Sequence, residues 1–428
     1  MSCGLYDVWL SLRMYPGRSA HRRLFEIFGN AYNVYRADPA ETEAAGLPDG
    51  LASRLADKSL ERAVAIMDYC TRTGITLVTE GCEGYPHRLS DIADPPYLLY
   101  IRGNMPDIDS LVSISVVGTR SMSEYGMRTA YKISYELSAA GIVLVSGMAL
   151  GIDSVAACAA LDSGGTTVAV LGCGIDMAYP SQHKRLMDCI AAHGAVISEF
   201  PPGTHPDGRN FPIRNRIISG LGLGTLVVEA DAQSGALITA RSALVQGRDI
   251  FAVPGNVGDA NTSGTNTLIR DGANVALSAR DIIKVYEFPW REAMDYTALA
   301  AAERISDYTG GLYDRYGVCA GETKSSTAVK PEKPDGKSAK LHLTYARDRR
   351  VSDAATEERR AVESKSADEA GLSGNLGTVY NGMKPGEKLS IDQLMRLGLS
   401  MGELMSALTQ LEIRGFVASV PGGFYTRK

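Results

Sequence analysis

The middle of the chain alternates between short apolar runs and longer segments of helical periodicity. Strands that are apolar along their whole length, separated by helices, are typical of a parallel sheet covered on both faces. We therefore predict a Rossmann-like, doubly wound α/β domain over residues 106–290. The predicted strands are residues 113–117, 142–145, 168–171, 196–198, 225–229 and 250–253. The predicted helices between them are residues 125–139, 154–163, 182–192, 215–221 and 235–246.

The first part of the chain has a helical pattern broken by tight turns. Residues 6–12 and 21–28 predict helices on either side of the turn Tyr15-Pro16-Gly17. Residues 60–73 predict a third helix that ends at Gly74, the residue type that most often follows a helix end. We therefore predict an N-terminal helical domain over residues 1–105, of the SAM-like or helix-hairpin-helix type.

Charged residues replace apolar periodicity after the α/β segment. Between residues 321 and 370, 21 of 50 residues are charged and only five are Leu, Ile, Val or Phe. So little apolar area cannot offset an ordering entropy of about 1–2 kcal/mol per residue. We predict a charged, disordered linker over residues 291–370.

Apolar periodicity returns near the C-terminus. Residues 389–397 predict one helix, and the capping box Ser400–Glu403 opens a second helix. Residues 416–420 and 424–426 predict a β-hairpin. Helices followed by a β-wing predict a winged-helix-like domain over residues 371–428, and a small dimerisation or docking module fits the same pattern. The second helix places three leucines on one face, Leu404, Leu408 and Leu411.

Composition and charge narrow the class of protein. Hydrophobic residues make up 45% of the chain and charged residues 22%, which is typical of a globular protein. The formal net charge is −5, so a nucleic-acid site would have to be a local basic patch. The seven cysteines form no CxxC pair, which favours reduced thiols in a cytoplasmic protein. No secretory signal pattern and no long apolar run appear, so we expect no membrane association.

The turns that follow the predicted strands carry the candidate chemistry. In an open parallel sheet, ligands bind beyond the carboxyl ends of the strands. Glycines there let the backbone approach a ligand, helix starts favour anions, and guanidinium groups match phosphate oxygens. Several such turns on one rim suit a polynucleotide backbone, although a turn requirement alone explains any single glycine equally well. The candidate positions are Gly118, Thr119, Arg120, Ser146, Gly147, Gly151, Arg214, Asn215, Arg216, Ser234 and Gly235.

The motifs of several enzyme classes do not occur. The sequence has no GxxxxGK[ST] loop, no GxGxxG fingerprint, no GxSxG elbow and no HExxH helix. The six histidines share no ligand spacing, and Asp153 fits a local cap better than a catalytic carboxylate. We therefore predict no catalytic residue, no cofactor and no metal.

The motifs, taken in order, resemble those of the DNA-processing protein A (DprA/Smf) family. The resemblance rests on residues 115–120 (SVVGTR), 146–153 (SGMALGID), 211–220 (FPIRNRIISG), 234–240 (SGALITA) and 252–255 (AVPG). It covers most of residues 1–285, and the C-terminal module resembles the winged-helix tail that many members carry.

This resemblance implies a cytoplasmic, non-enzymatic protein that binds single-stranded DNA. It implies protection of incoming DNA in natural transformation, loading of the RecA recombinase onto the strand, and a homodimer formed through the Rossmann-like domain. It also implies that DNA contacts lie among the candidate positions above, to which we add Lys184.

Two other functions remain open at the level of the sequence. One is a nucleotide-processing hydrolase on a similar fold, such as the cytokinin-activating phosphoribohydrolases, which carry a PGGxGTxxE run. Residues 254–256 and the region near Glu229 resemble that run only faintly. The other is an interaction scaffold in which only the winged helix binds DNA.

Overall fold

The structure is a computed structural model. It divides the chain into two compact units, Met1–Lys330 and Pro331–Lys428. The predicted linker core, residues 321–370, lies outside the described residues. The described residues are 3–304 except 18 and 49, then 315–317, then 374–427 except 385, 395–396, 400, 415 and 421–423.

Six short helices open the first unit, and Trp9 of the first helix is fully buried in its core. Local sequence sets their ends. Asn30 caps the third helix by accepting a hydrogen bond from the Asn33 N–H at 2.9 Å, and the sixth helix ends where Gly74 takes a left-handed φ of 66°. The helices are α1 Leu5–Arg13, α2 Ala20–Phe28, α3 Ala31–Arg36, α4 Pro39–Ala44, α5 Leu51–Leu55 and α6 Glu61–Thr73.

A single sheet forms the centre of the first unit. Its spatial order is β1-β2-β6-β5-β4-β3-β7-β8-β9. The strands from β3 to β9 run parallel, β2 pairs antiparallel with β6, and β1 pairs antiparallel with β2. The strands are β1 Thr76–Thr79, β2 Leu98–Gly103, β3 Ser113–Val117, β4 Val143–Ser146, β5 Thr167–Leu171, β6 Ala195–Ser198, β7 Gly224–Val227, β8 Asp249–Ala252 and β9 Asn274–Val275.

Helices cover both faces of this sheet, which confirms the predicted doubly wound Rossmann-like architecture. They are α7 His87–Ser90, α8 Glu124–Ala139, α9 Ile152–Asp162, α10 Lys184–His193, α11 Asn210–Leu221, α12 Ala236–Val245, α13 Ser263–Arg270, α14 Ala279–Trp290 and α15 Tyr296–Ala302. The direction of winding reverses at β3, which has β4 on one side and β7 on the other. The turns after β3 and β7 therefore diverge and open a crevice, the usual ligand position in such folds.

Two predicted boundaries differ from the structure. The first 105 residues are not wholly helical, because β1 and β2 extend the sheet, and the apolar stretch from Leu98 to Ile101 is buried within it. The predicted linker also begins too early. Helix α15 is capped by Asp295, and its Leu299 is only 1% exposed. Burial of an apolar side chain of that size stabilises the segment by about 1.5–3 kcal/mol, so it is part of the folded unit.

The second unit has the helices and β-wing of a winged helix. Its elements are α16 Asn375–Asn381, β10 Lys388–Ser390, α17 Ile391–Leu394, α18 Met401–Ile413, β11 Val417–Val420 and β12 Phe424–Arg427. The strand order is β10-β12-β11, all antiparallel. The core contains the three leucines predicted to share a face, Leu404, Leu408 and Leu411. The helix predicted over 389–397 is instead split, because its first residues pair as a strand with β12.

Within the residues that the structure describes, no helix combines the length and the apolar character needed to cross a membrane.

Candidate nucleic-acid interface

A groove of about 550 Å³ opens at the carboxyl ends of β3 and β7. It lies at the point where the winding of the sheet reverses, and its walls are the turn after β3, the start of α11 and the start of α12. Seven of the predicted site residues line it, namely Gly118, Thr119, Arg120, Arg214, Asn215, Ser234 and Gly235.

The turn after β3 is packed too tightly for larger residues. The Thr119 N–H donates to the Glu229 carbonyl at 2.7 Å, and the Ile152 N–H donates to the Thr119 carbonyl at 3.2 Å. A Cβ on Gly118 would come within 2.5 Å of Ile152 Cγ1. Gly151 has a φ of 80°, where L side chains are strained, and it also abuts the Thr119 carbonyl. These glycines therefore bring the exposed Arg120 to the rim of the groove.

Arg214 forms part of the floor of the groove. The residue is 4% exposed, and its guanidinium donates from Nη1 to the carbonyls of Gly147, at 3.0 Å, and Val170. It lies beside Asp153, which accepts a hydrogen bond from the Gly147 N–H at 3.1 Å. Burial lowers the pKa of Arg214 to about 10, against the opposing effect of Asp153, so it stays cationic at neutral pH. Burial likewise raises the pKa of Asp153, although Arg214 opposes the shift. The two side chains therefore hold the turn after β4 against the carboxyl end of β5.

Five predicted site residues do not line the groove. The hydroxyl of Ser146 donates to the Val116 carbonyl at 2.8 Å, behind the rim. Arg216 forms an ion pair with Glu199 at 2.7 Å, and both side chains are nearly buried. Lys184 is exposed and pairs with Asp188 at 3.1 Å. The residues outside the groove lining are Ser146, Gly147, Gly151, Lys184 and Arg216.

Two aromatic residues in the groove were not among the predicted site residues. The rings of Tyr179 and Phe211 lie with centroids 5.3 Å apart and planes tilted by 30°, and Tyr179 is 39% exposed. The Arg120 guanidinium lies 5.6 Å from the centroid of the Phe211 ring, within cation–π range. Each aromatic directly precedes a proline beyond the carboxyl end of a strand, Tyr179 in a loop and Phe211 in the first turn of α11, and that position in the sequence could have indicated them.

The remaining wall is the start of α12. Gly235 is exposed there, and the Ser234 hydroxyl accepts from the Ala236 N–H at 3.3 Å. The free N–H groups of a helix start favour an anion, while the carboxylate of Asp231, which also lines the groove, opposes one. The exposed cation of the groove lining is therefore Arg120, and the helix start adds a weaker positive potential.

Glu229 is the carboxylate in the region that faintly resembles the hydrolase motif. It is fully buried and accepts hydrogen bonds from the Ser123 N–H at 2.8 Å and the Ser123 hydroxyl at 2.6 Å. Burial raises its pKa, against the effect of these hydrogen bonds. Its oxygens therefore stabilise the start of α8. Among the described residues, no group of three His, Cys, Asp or Glu side chains could hold a metal ion.

Comparison with known protein families gives two matches. A family model described as DNA recombination-mediator protein A matches residues 76–287, which include the whole groove. A second model, described as the DprA winged helix domain, matches residues 363–423.

Individual relatives agree with these matches. The protein Smf of Synechocystis is 30% identical over 417 residues, covering 95% of this chain and 94% of its own length. The DNA processing protein DprA of Streptococcus pneumoniae is 44% identical over 204 residues, which are 48% of this chain and 72% of the relative. The X-ray structure of the pneumococcal DprA superimposes with a TM-score of 0.56 at 33% identity, covering 67% of this chain and all of that one. The chain therefore belongs to the DNA processing protein A (DprA/Smf) family of DNA recombination mediators.

Proposed function

We propose that this chain binds single-stranded DNA in the groove between β3 and β7 and acts as a recombination mediator without catalytic turnover. The observation that carries the proposal is the grouping of an exposed guanidinium, Arg120, with the adjacent rings of Tyr179 and Phe211. A cation for the phosphate and an aromatic face for the base are the two components of a single-strand site.

The same grouping favours single strands over duplex. Stacking on a side chain requires an unstacked base, and the bases of a duplex already stack on one another. Arg120 contacts the backbone, which carries no sequence information, so binding is expected to be largely independent of sequence.

We further propose that two copies associate at the β9 edge of the sheet. Helix α12 ends there in exposed apolar side chains, and β9 leaves one strand edge unpaired within the described residues. Exposed apolar residues at a sheet edge favour association. We define the edge patch as Leu244, Val245, Val275 and Leu277, which are 68%, 81%, 43% and 73% exposed.

The biological setting of the proposal follows from the family resemblance. In that setting the protein is cytoplasmic, protects incoming single strands during natural transformation, and helps to load the RecA recombinase onto them. A dimer would contain two grooves and could therefore bind two segments of single-stranded DNA at the same time.

Binding of labelled oligo-dT by full-length variants tests the site. The Arg120→Ala substitution should weaken binding to all sequences alike and reduce the log–log salt slope by about 0.7, because one phosphate contact is lost. The Phe211→Ala substitution should cost about 1–3 kcal/mol of binding free energy through lost stacking. The matched controls are Arg270→Ala and Phe288→Ala, which change exposed residues outside the groove. Wild-type affinity in both groove variants would remove the assignment.

A further inference from the structure

A second cavity, of about 250 Å³, lies between the N-terminal helices and the Rossmann-like sheet. Tyr15, Arg54 and Arg62 line it on one side, and Thr204 and Asn210 on the other. Asn210 directly precedes Phe211 of the groove, and residues from the one chain segment 204–212 line both the cavity and the groove. A strand that leaves the groove across this segment reaches the cavity next.

Tyr15 offers an aromatic surface in this cavity. Its side chain is 45% exposed, and the Arg54 guanidinium carbon lies 4.1 Å from the centroid of its ring. Arg54 is itself held in place, because its Nη2 donates to the carbonyls of Leu12 at 3.2 Å and Met14 at 3.4 Å. The ring is therefore supported from one side by a fixed cation, as in an aromatic platform for a base.

The charge of the cavity suits a phosphate. Arg62 is exposed, and Arg54 contributes a second positive charge. The carboxylate in the wall, Glu199, is neutralised by its ion pair with Arg216 at 2.7 Å. The local field is therefore positive although the net charge of the chain is −5.

The turn that carries Tyr15 is fixed relative to the groove. Gly17 has a φ of 77°, and a Cβ there would come within 2.9 Å of Ile213 Cγ2 on α11. The Gly17 N–H also donates to Glu199 Oε1 at 3.5 Å. Helix α11 also carries Phe211 and Arg214, which line the groove. The same helix therefore connects the turn at the cavity to the groove, so that one strand can contact both.

We propose that this cavity is a second nucleotide subsite for the single strand that occupies the groove. Tyr15 stacks a base, and Arg62 contacts a phosphate. This inference rests on the proposed function. It assigns a DNA contact to the N-terminal helices, which lie outside the stretch matched by the DNA recombination-mediator model.

Oligo-dT of graded length, from about 4 to about 16 nucleotides, tests the subsite in the full-length chain. The shortest oligonucleotides fill the groove alone, so Tyr15→Ala and Arg62→Ala should bind them like the wild type. The gain in affinity with length should fall by roughly five-fold or more in Tyr15→Ala. Arg62→Ala should lower the salt slope by about 0.7 for long oligonucleotides only. Tyr15→Phe keeps an aromatic ring at this position, so it should show the same gain in affinity with oligonucleotide length as the wild type.

Matched controls come from the same helical section. Tyr32 is also 45% exposed with an arginine, Arg36, near its ring, and Arg72 lies on the same helix as Arg62, but neither Tyr32 nor Arg72 lines the cavity. Tyr32→Ala and Arg72→Ala should bind oligonucleotides of every length like the wild type.

The outcomes separate this inference from the proposed function. If Tyr15→Ala and Arg62→Ala retain the full gain with length while Arg120→Ala loses affinity at every length, the subsite is wrong and the groove assignment stands. If Tyr15→Ala weakens binding of dTMP but not of long oligo-dT, the cavity belongs to a free nucleotide, and the inference is overturned. If the wild type binds no single strand, both fail.

Discussion

At the scale of single residues, two arginines of one helix have different roles. Arg214 and Arg216 lie two positions apart on α11, and at 3.6 residues per turn they point about 200° apart. Arg214 therefore reaches the turns under the groove, while Arg216 meets Glu199 on the opposite side. From the sequence, both residues are cations near the start of a helix. The structure is needed to show that their side chains point to opposite sides of α11. The exposed cation at the groove is Arg120, on a different turn.

Arg214→Ala should destabilise the first unit by about 3 kcal/mol or more. The substitution leaves the carbonyls of Gly147 and Val170 without their charged donor and removes the cation that most strongly opposes the burial of Asp153. Urea unfolding followed by circular dichroism measures the change. Arg120→Ala, at the exposed rim, should change stability by no more than about 0.5 kcal/mol. Equal stability of the two variants would contradict a structural role for Arg214.

Glu80 should contribute to stability in an acid-dependent way. Burial alone would raise its pKa, but hydrogen bonds from His21 and Arg22 outweigh that effect and lower the pKa from 4.5 to about 2. A depressed carboxyl pKa adds stability that is fully present above the unfolded-state value and is lost as the pH falls towards the folded-state value. The wild type should therefore lose stability between pH 4.5 and about 2 more steeply than Glu80→Gln. Urea midpoints across that range measure the effect, and parallel curves for the two proteins would contradict it.

At the scale of elements, the apolar runs predict the parallel strands β3 to β8 closely, because strands buried on both faces leave a continuous signal. Strand β9 is missed since it has two residues, both exposed. Strand β2 is missed for another reason: a short buried run cannot be told from a helix segment by periodicity alone. Helix α11 begins at Asn210, five residues earlier than the predicted 215, because Pro212 is tolerated in the first turn, where its missing N–H has no partner to lose.

The edge patch gives a prediction about self-association. In the Leu244→Glu variant, the glutamate carboxylate would have to be buried in the proposed dimer interface. Because burying an unpaired charge costs free energy, the substitution should shift the equilibrium towards the monomer. Analytical ultracentrifugation over a range of concentrations measures the shift. Val257→Glu is the control, since Val257 is 99% exposed and lies outside the edge patch. An unchanged dimer in Leu244→Glu, or a wild type that is monomeric throughout, would contradict the assignment.

At the scale of the whole molecule, the proposed DNA site lies in the first unit. In winged helices that bind duplex DNA, one helix enters the major groove, and phosphate contacts come largely from Lys and Arg. Here the helix α18 contains Glu403 and Glu412 but no Lys or Arg. The arginine of the wing, Arg427, is buried and donates to the carbonyls of Tyr380 and Met383, and Arg414 lies between the helix and the wing. This composition favours the docking interpretation of the module over the DNA-binding one.

A chain that ends at residue 330 should therefore bind oligo-dT within about two-fold of the full-length protein. The boundary is that between the two compact units, so it spares α14 and α15. Fluorescence anisotropy measures the affinity. A cooperative thermal unfolding transition of the fragment shows that it is folded. Loss of binding by a folded fragment would assign the DNA site to the second unit.

The most direct test of the account compares single-stranded oligo-dT with a duplex of equal length on the full-length protein, at about 50 and about 200 mM salt. The single strand is expected to bind more tightly than the duplex, because only its bases are free to stack on the groove aromatics. Its affinity should fall with salt by a log–log slope of about −0.7 per contacted phosphate, and Arg120→Ala should reduce that slope. Tighter binding to the duplex, or single-strand binding that responds neither to salt nor to Arg120→Ala, would contradict the assignment of the groove.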